Sequence, residues 1–362
     1  MSAPLSPLPF GSTIGILGGG QLGRMLALSA ARHGYRVAVL DPDKDAPAAQ
    51  VANLHITGGY EDADALEELA RHSAVVTFEW ENVPVASARA VAALTPVFPP
   101  PAALEAAQDR VTEKEFLNGL GIATAPFRAV SSEAELEAAL EALGGEGILK
   151  TRRMGYDGKG QRRITRGDTA GAFATMGGVP LILEGLVLFS REVSVIAARG
   201  QDGKFASFDP AENVHEAGIL RRSTVPAAIG PDTDRAARDA ARKILDALGY
   251  VGVIGVEFFV LADGGLLANE IAPRVHNSGH WTEAAATLSQ FDLHIRAIAG
   301  LELPEPMRHS DCLMENLIGD EVFSAPERMK DANTLVHLYG KSEARPGRKM
   351  GHWTRLLRGA RA

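Results

Sequence analysis

The run TIGILGGGQLGRML, Thr13 to Leu26, decides how the first hundred residues fold. Five residues, TIGIL, make an apolar strand; Gly18, Gly20 and Gly23 follow at G-x-G-x-x-G spacing, and a helical pattern runs over 21–33. A glycine turn between a buried strand and a helix is the first joint of a parallel βαβ unit. The alternation continues with a strand at 36–40 ending at Asp41, a short strand at 54–57, a helix near 62–71 and a strand at 74–78. This order predicts a doubly wound, Rossmann-like parallel sheet. Asp41 falls where an acidic group would meet an adenosine ribose, so an NAD-linked oxidoreductase is one reading. Every tight βαβ joint needs glycines, however, and another ligand is the second reading.

Three prolines, Pro99 to Pro101, interrupt the alternation and favour an extended linker. Helices near 109–120 and 132–143 lead to a strand ending at Lys150, a glycine-rich loop, a strand QRRI and a strand LILEGL. Long strands REVSVIAAR, GKFASF and GILRRSTV, a helix at 232–248 and a hairpin turning at Asp263 to Gly265 predict an antiparallel sheet. Helices near 281–288 and 291–299 precede a short tail. The expected fold is therefore mixed α/β and α+β. Its expected units are a Rossmann-like domain at 1–105, a small lid at 106–187, a core at 188–300 and a small C-terminal domain at 301–362.

Composition narrows the function classes. The chain has 362 residues, 46% hydrophobic and 23% charged, with a formal net charge of -8. That balance argues against bulk nucleic-acid binding, which needs clustered Lys and Arg. The single Cys312 allows neither an intramolecular disulfide nor a cysteine-based zinc site, and suits the cytoplasm. The N-terminus MSAPLSPLPFGS does not read as a signal peptide, and VGVIGVEFFVLA, broken by Glu257, is too short to span a bilayer. No membrane association is expected.

Two features carry chemistry. The loop KTRRMGYDGKGQ places Gly155, Gly158 and Gly160 among Tyr156, Asp157, Lys159 and Gln161, behind Lys150. Glycine amides can wrap phosphate oxygens, and two lysines add charge against a triphosphate. A mobile surface hairpin is the plain alternative. The second feature is Glu257 and Glu270, on the two arms of the hairpin, inside apolar strands where a lone charge is costly. A hard divalent cation compensates both, whereas a dehydrogenase has no use for the pair. Either Glu could instead be salt-bridged within its strand.

With these residues in view, the order Lys150, GYDGKGQ, LILEGLV, REVSV, GVEFF, NEIAPRVHNSGHWT resembles the ATP-grasp superfamily. GGGQLGRM, PRVHNSGHWT and ARPGRKMGH further resemble the N5-carboxyaminoimidazole ribonucleotide synthases of purine biosynthesis. The resemblance covers nearly the whole chain. It implies ATP-dependent joining of bicarbonate to the amine of 5-aminoimidazole ribonucleotide through carboxyphosphate, with magnesium, or manganese in its place, at Glu257 and Glu270. It implies nucleotide contacts from Arg110, Lys150, the loop 155–161, the segment Glu184, Gly185, Leu186 and Val187, then Glu192, His215, Asn269 and Glu270. It places Tyr156 and Asp157 beside the amine, with Arg274 also assigned to catalysis. Gln21, Glu79, Arg274, His276, Asn277, Lys341 and Arg348 are the substrate candidates, the basic ones for its monophosphate. A homodimer is the family expectation.

Alternatives stay open: the formate-using glycinamide ribonucleotide transformylase of the same superfamily, the oxidoreductase, and an idle nucleotide sensor. His276 and His280 have a zinc-compatible spacing only if helical, and Asn277, Ser278 and Gly279 favour a substrate loop. Two departures stand out. Ala272 occupies a position where many ATP-grasp enzymes carry Asn, and the chain stops soon after GHWTRLLRGARA, where relatives continue for some tens of residues. Different packing of the last domain is therefore expected.

Overall fold

A computed structural model describes residues 6–155 and 158–357; Tyr156 and Asp157 lie outside the described residues. The predicted parallel sheet is present, in the order Leu54–Ile56, Arg36–Leu40, Thr13–Leu17, Val75–Phe78. Its strands are almost wholly apolar because helices cover both faces. Helix Gln21–Arg32 buries Leu22, Met25, Leu26 and Ala30. It packs on helix Gln290–Ile298, where Ser29 Oγ donates to Asp292 Oδ1 at 2.7 Å and Arg32 pairs with the same carboxylate. Asp292 also closes a capping box with Ser289, so one buried carboxylate caps one helix and anchors another.

Pro101 is the first residue of helix Pro101–Ala107, not part of an extended linker. The missing amide of a proline costs nothing at that position, which has no intrahelical acceptor. A helix Val85–Ala92 escapes the sequence pattern because it is short and mostly Ala and Val.

Strands Phe127–Val130, Leu181–Gly185, Glu146–Thr151 and Gln161–Thr165 form an antiparallel lid sheet in that order. Lys150 is paired with Ile182 on one side and Gln161 on the other, which fixes the base of the glycine loop.

The third sheet runs Leu266–Ala272, Gly252–Val260, Arg191–Arg199, Ala211–Glu216, Ile219–Val225, Asp311–Ile318, Lys349–Leu357, Thr334–Leu338, with Phe205–Ser207 beside Arg191–Arg199. Strand Ala211–Glu216 was not anticipated, since AENVHE carries three charges or imidazoles in six residues. The sheet is continuous across residue 300: Arg222 is in register with Glu315 and Val225 with Cys312. The tail thus extends the core rather than standing beside it, and carries its basic segment to the same cleft. Helix Thr282–Ala285 ends earlier than its pattern suggests, because Ala286 bridges Arg308.

Candidate active site

All three sheets border one cleft of about 1170 Å³. Its nucleotide-side chemistry begins with the hairpin of Gly252–Val260 and Leu266–Ala272. Glu257 stands in register opposite Glu270, and Phe258 opposite Ala268, leaving Asn269 as the extra residue of a bulge. Strand alternation would send Asn269 and Glu270 to opposite faces; the bulge lets both line the cleft. Two carboxylates directly opposed repel each other. Burial and the Glu270 charge raise the Glu257 pKa. Burial also acts on Glu270, but the Arg110 guanidinium, 3.0 Å from its Oε2, holds that pKa down. Opposed carboxylates with the Asn269 Oδ1 atom buried and lacking a partner match the oxygen-rich donor set of a hard cation.

A second charge cluster supports the first. Glu184 lies on the lid strand with Lys150 Nζ 2.8 Å from one oxygen and Lys114 Nζ 3.4 Å from the other. Burial would raise the Glu184 pKa, yet the two ammoniums hold it below the usual carboxylate range. Burial lowers the Lys150 pKa against the pull of Glu184. Lys114 and Glu113 were missed by sequence reading. They sit at i+4 and i+3 from Arg110 on helix Arg110–Gly119, so a helical projection from Arg110 would have found both. Glu113 accepts the Ile271 amide at 2.6 Å, and burial with the Glu270 charge pushes its pKa up to about 8 despite Arg110.

The other side of the cleft explains the opening glycines. Asp41 Oδ2 accepts the Gly19 amide at 2.6 Å and the Tyr60 hydroxyl at 2.8 Å. Glu79 accepts from the Gly20 and Gly23 amides at 2.9 and 3.1 Å, and burial raises its pKa. The amides that would hold a dinucleotide pyrophosphate are therefore occupied by the protein's own carboxylates, and that is the correction to the oxidoreductase reading. A side chain at Gly18, with φ of +103°, would meet Glu79 Cγ at 2.7 Å. Gln21 lines the cleft and accepts Lys341 Nζ at 2.7 Å.

Arg274 is half-buried and paired with Glu81, whose carboxylate pKa burial would raise but Arg274 lowers. His276 Nε2 lies 3.7 Å from Glu257 Oε1; burial and Arg274 push its pKa down to about 3, so it is neutral near neutral pH. Both side-chain polar atoms of Asn277 are buried without partners. Arg348 and Lys349 line the cleft beside Lys341, with Arg348 Nη1 donating to the Glu343 carbonyl at 2.9 Å. Glu192 and His215 face each other at 2.9 Å on adjacent strands.

Gly155, Gly158, Lys159 and Gln161 line the cleft, and a Cβ on Gly158 would strike the Ala217 carbonyl at 2.7 Å, so Gly158 is seated on the core's turn. Gly160 and the segment 184–187 lie off the lining: Gly160 is spent on Thr151, and Glu184 sits beneath Lys150. Residues 277–279 form a single 3-10 turn, and His280 is packed away from the cleft, so His276 and His280 share no site.

Comparison with known proteins decides the family. Residues 12–108 match the ribonucleotide synthetase preATP-grasp domain, 115–291 the ATP-grasp domain, and 312–360 the phosphoribosylaminoimidazole carboxylase C-terminal domain. The N5-carboxyaminoimidazole ribonucleotide synthase of Brucella melitensis is 62% identical, over 96% of each chain. The chain belongs to the N5-carboxyaminoimidazole ribonucleotide synthase family.

Solved members of that family superpose closely. N5-carboxyaminoimidazole synthetase from Staphylococcus aureus, complexed with ADP, has a TM-score of 0.94 at 38% identity, covering 98% of this chain and 95% of its own. The Aspergillus clavatus synthase, in complex with ADP and 5-aminoimidazole ribonucleotide, has a TM-score of 0.90 at 35% identity, covering 96% and 94%. The ATP-grasp domain makes this family member an ATP-dependent ligase, and the fold class read from the sequence, an N-terminal parallel sheet followed by antiparallel ATP-grasp sheets and a C-terminal domain, is the family's. No helix among the described residues is long and apolar enough to cross a membrane.

Proposed function

We propose that this chain joins bicarbonate to the amine of 5-aminoimidazole ribonucleotide at the expense of ATP, giving N5-carboxyaminoimidazole ribonucleotide, ADP and phosphate. The observation that carries the reading is the single cleft, in which the Glu257–Glu270 pair and the Gln21–Lys341–Arg348 group border one space. A phosphorylated small acid formed at one part can meet an amine held at another without crossing bulk water.

In this reading Arg110 and Lys150 hold the nucleotide phosphates, and Glu257 and Glu270 hold magnesium, with manganese as a substitute. When bound between these carboxylates, the ion would supply charge neutralisation to the nucleotide phosphates. Lys150 moves from Glu184 toward phosphate while Lys114 continues to neutralise the carboxylate. Transfer of the γ-phosphoryl group to bicarbonate gives carboxyphosphate, whose carboxyl carbon forms a bond to the amine nitrogen as the phosphate leaves; the amine loses one proton. The glycine loop, seated at Gly158, excludes water, which would otherwise hydrolyse the intermediate. Neutral His276 adds no positive charge to compete with Arg274. Lys341, Arg348 and Arg274 receive the ribonucleotide phosphate, and Gln21, Glu79 and Asn277 border it. By the resemblance, the adenine edge meets the backbone of the segment 184–187 just outside the lining, next to Phe189, Glu192 and His215, which do line the cleft. Tyr156 and Asp157 keep the roles implied by the resemblance. The division at residues 105 and 187, with the small C-terminal unit after 300 joined to the core through its sheet, the cytoplasmic location and the homodimer are carried with this reading.

The test is ADP release with ATP, magnesium and bicarbonate, with and without 5-aminoimidazole ribonucleotide. Release that depends on the ribonucleotide supports the proposal; release indifferent to it, or supported equally by formate with glycinamide ribonucleotide, sinks it.

A further inference from the structure

Behind the cleft wall, one residue removed from it through Tyr339, which contacts both His352 and Lys341, three side chains converge for which the reaction has no use. Glu283 comes from the short helix Thr282–Ala285, and His337 and His352 face each other in register on adjacent antiparallel strands. His337 Nδ1 is 3.0 Å and His352 Nε2 3.8 Å from Glu283 Oε2, and the three donor atoms all lie within 4.8 Å of one another. None of the three lines the nucleotide cleft. Glu283 and His337 instead line a separate cavity of about 590 Å³.

We propose that Glu283, His337 and His352 form a binding site for a transition-metal ion of the zinc class. Four-coordinate zinc holds N and O donors at about 2.0–2.1 Å, which sets neighbouring donors about 3.3 Å apart. The two distances to Glu283 Oε2 straddle that separation. Despite the nearby His337 nitrogen, Oε2 is buried and accepts no hydrogen bond in usable geometry. Donors that converge on a shared point, rather than bonding to one another, are what a cation requires. The outer contacts fit as well. Tyr339 Oη lies 2.9 Å from His352 Nδ1, which orients that ring with Nε2 toward the cluster, as hydrogen bonds to the far nitrogen do for metal-binding histidines. Two imidazoles with one carboxylate favour zinc-class ions over magnesium. The cavity offers an entry path and a fourth position for water or an anion, with Arg32 and Arg296 among its lining residues.

The experiment uses the full chain stripped with a chelator and then saturated with magnesium and ATP, so that the nucleotide cleft is filled. Co²⁺ is titrated while its visible absorption is followed, and Zn²⁺ stoichiometry is measured by equilibrium dialysis. One equivalent of tightly bound ion with a tetrahedral Co²⁺ spectrum is expected. Binding should weaken at least about 100-fold in His337→Gln and in Glu283→Gln, since losing even an outer partner of a metal ligand costs up to about that much. Glu257→Gln should leave it intact. Absence of stoichiometric binding in the wild-type chain overturns the proposal, whatever the variants do. Binding that survives both substitutions, or disappears in Glu257→Gln, overturns it equally. Circular dichroism on each variant separates lost ligation from lost fold.

Discussion

Replacing Lys114 by Met tests the idea that one buried ammonium frees another for phosphate. The Lys114 side chain is 1% exposed and that of Glu184 5%, with separations of 3.4 Å to Lys114 and 2.8 Å to Lys150. At an effective dielectric of about 20, the two attractions are about 5 and about 6 kcal/mol. In the native chain Lys150 can turn to a phosphate while Glu184 keeps the Lys114 attraction. In Lys114→Met it keeps neither. Cleft water and Arg110 offset most of that difference, and a residual of about 1.4–2.8 kcal/mol corresponds to about 10–100-fold weaker ATP binding. Folding should lose a comparable amount, about 1–3 kcal/mol, because Met recovers the cost of burying an ammonium and Glu184 retains one partner. Steady-state kinetics should show KM for ATP rising about 10–100-fold with kcat much less affected. An unchanged KM in a folded variant would refute the reasoning. A collapse of folding would show instead that Lys114 is chiefly structural.

Glu270→Gln leaves Arg110 without its carboxylate partner and removes half of the opposed pair; turnover should fall at least about 1000-fold while the ADP-release assay on wild type proceeds. A residual rate above a tenth of wild type would remove Glu270 from the machinery. Glu113 titrates at about 8 in the fold against an ordinary value of 4.5, so the folded state binds the extra proton between those values. That contribution to stability is complete below pH 4.5 and is lost as pH rises through 8. Urea unfolding of Glu113→Gln should therefore fall less steeply than wild type between pH 6 and about 8.5; parallel curves would show that Glu113 is not the group responsible. NADH fluorescence should be unchanged on adding the protein, since Asp41 and Glu79 occupy the glycine-loop amides; saturable quenching would contradict that assignment.

The local sequence determined the elements with strong periodicity. TIGIL, RVAVL and AVVTF are apolar runs that only a doubly covered parallel sheet buries, and the D-G-G hairpin and QRRI strand follow from turn chemistry and alternation. The family motifs also made Glu257, Glu270, Lys150 and Arg110 legible one by one. Tertiary structure decided what each would meet. The glycine loop has the spacing of a dinucleotide site, yet Glu79, 56 residues from Gly23, takes its amides. No local pattern encodes that bond. The bulge at Asn269 overrides strand alternation, and Lys114 matters because the lid strand brings Glu184 onto it from 70 residues away. Continuity of the core sheet through Asp311–Ile318 likewise depends on pairing with Ile219–Val225, a contact between distant segments. Side-chain periodicity reports which face of an element is buried. Which charge lies against that face is set only when the sheets close around the cleft.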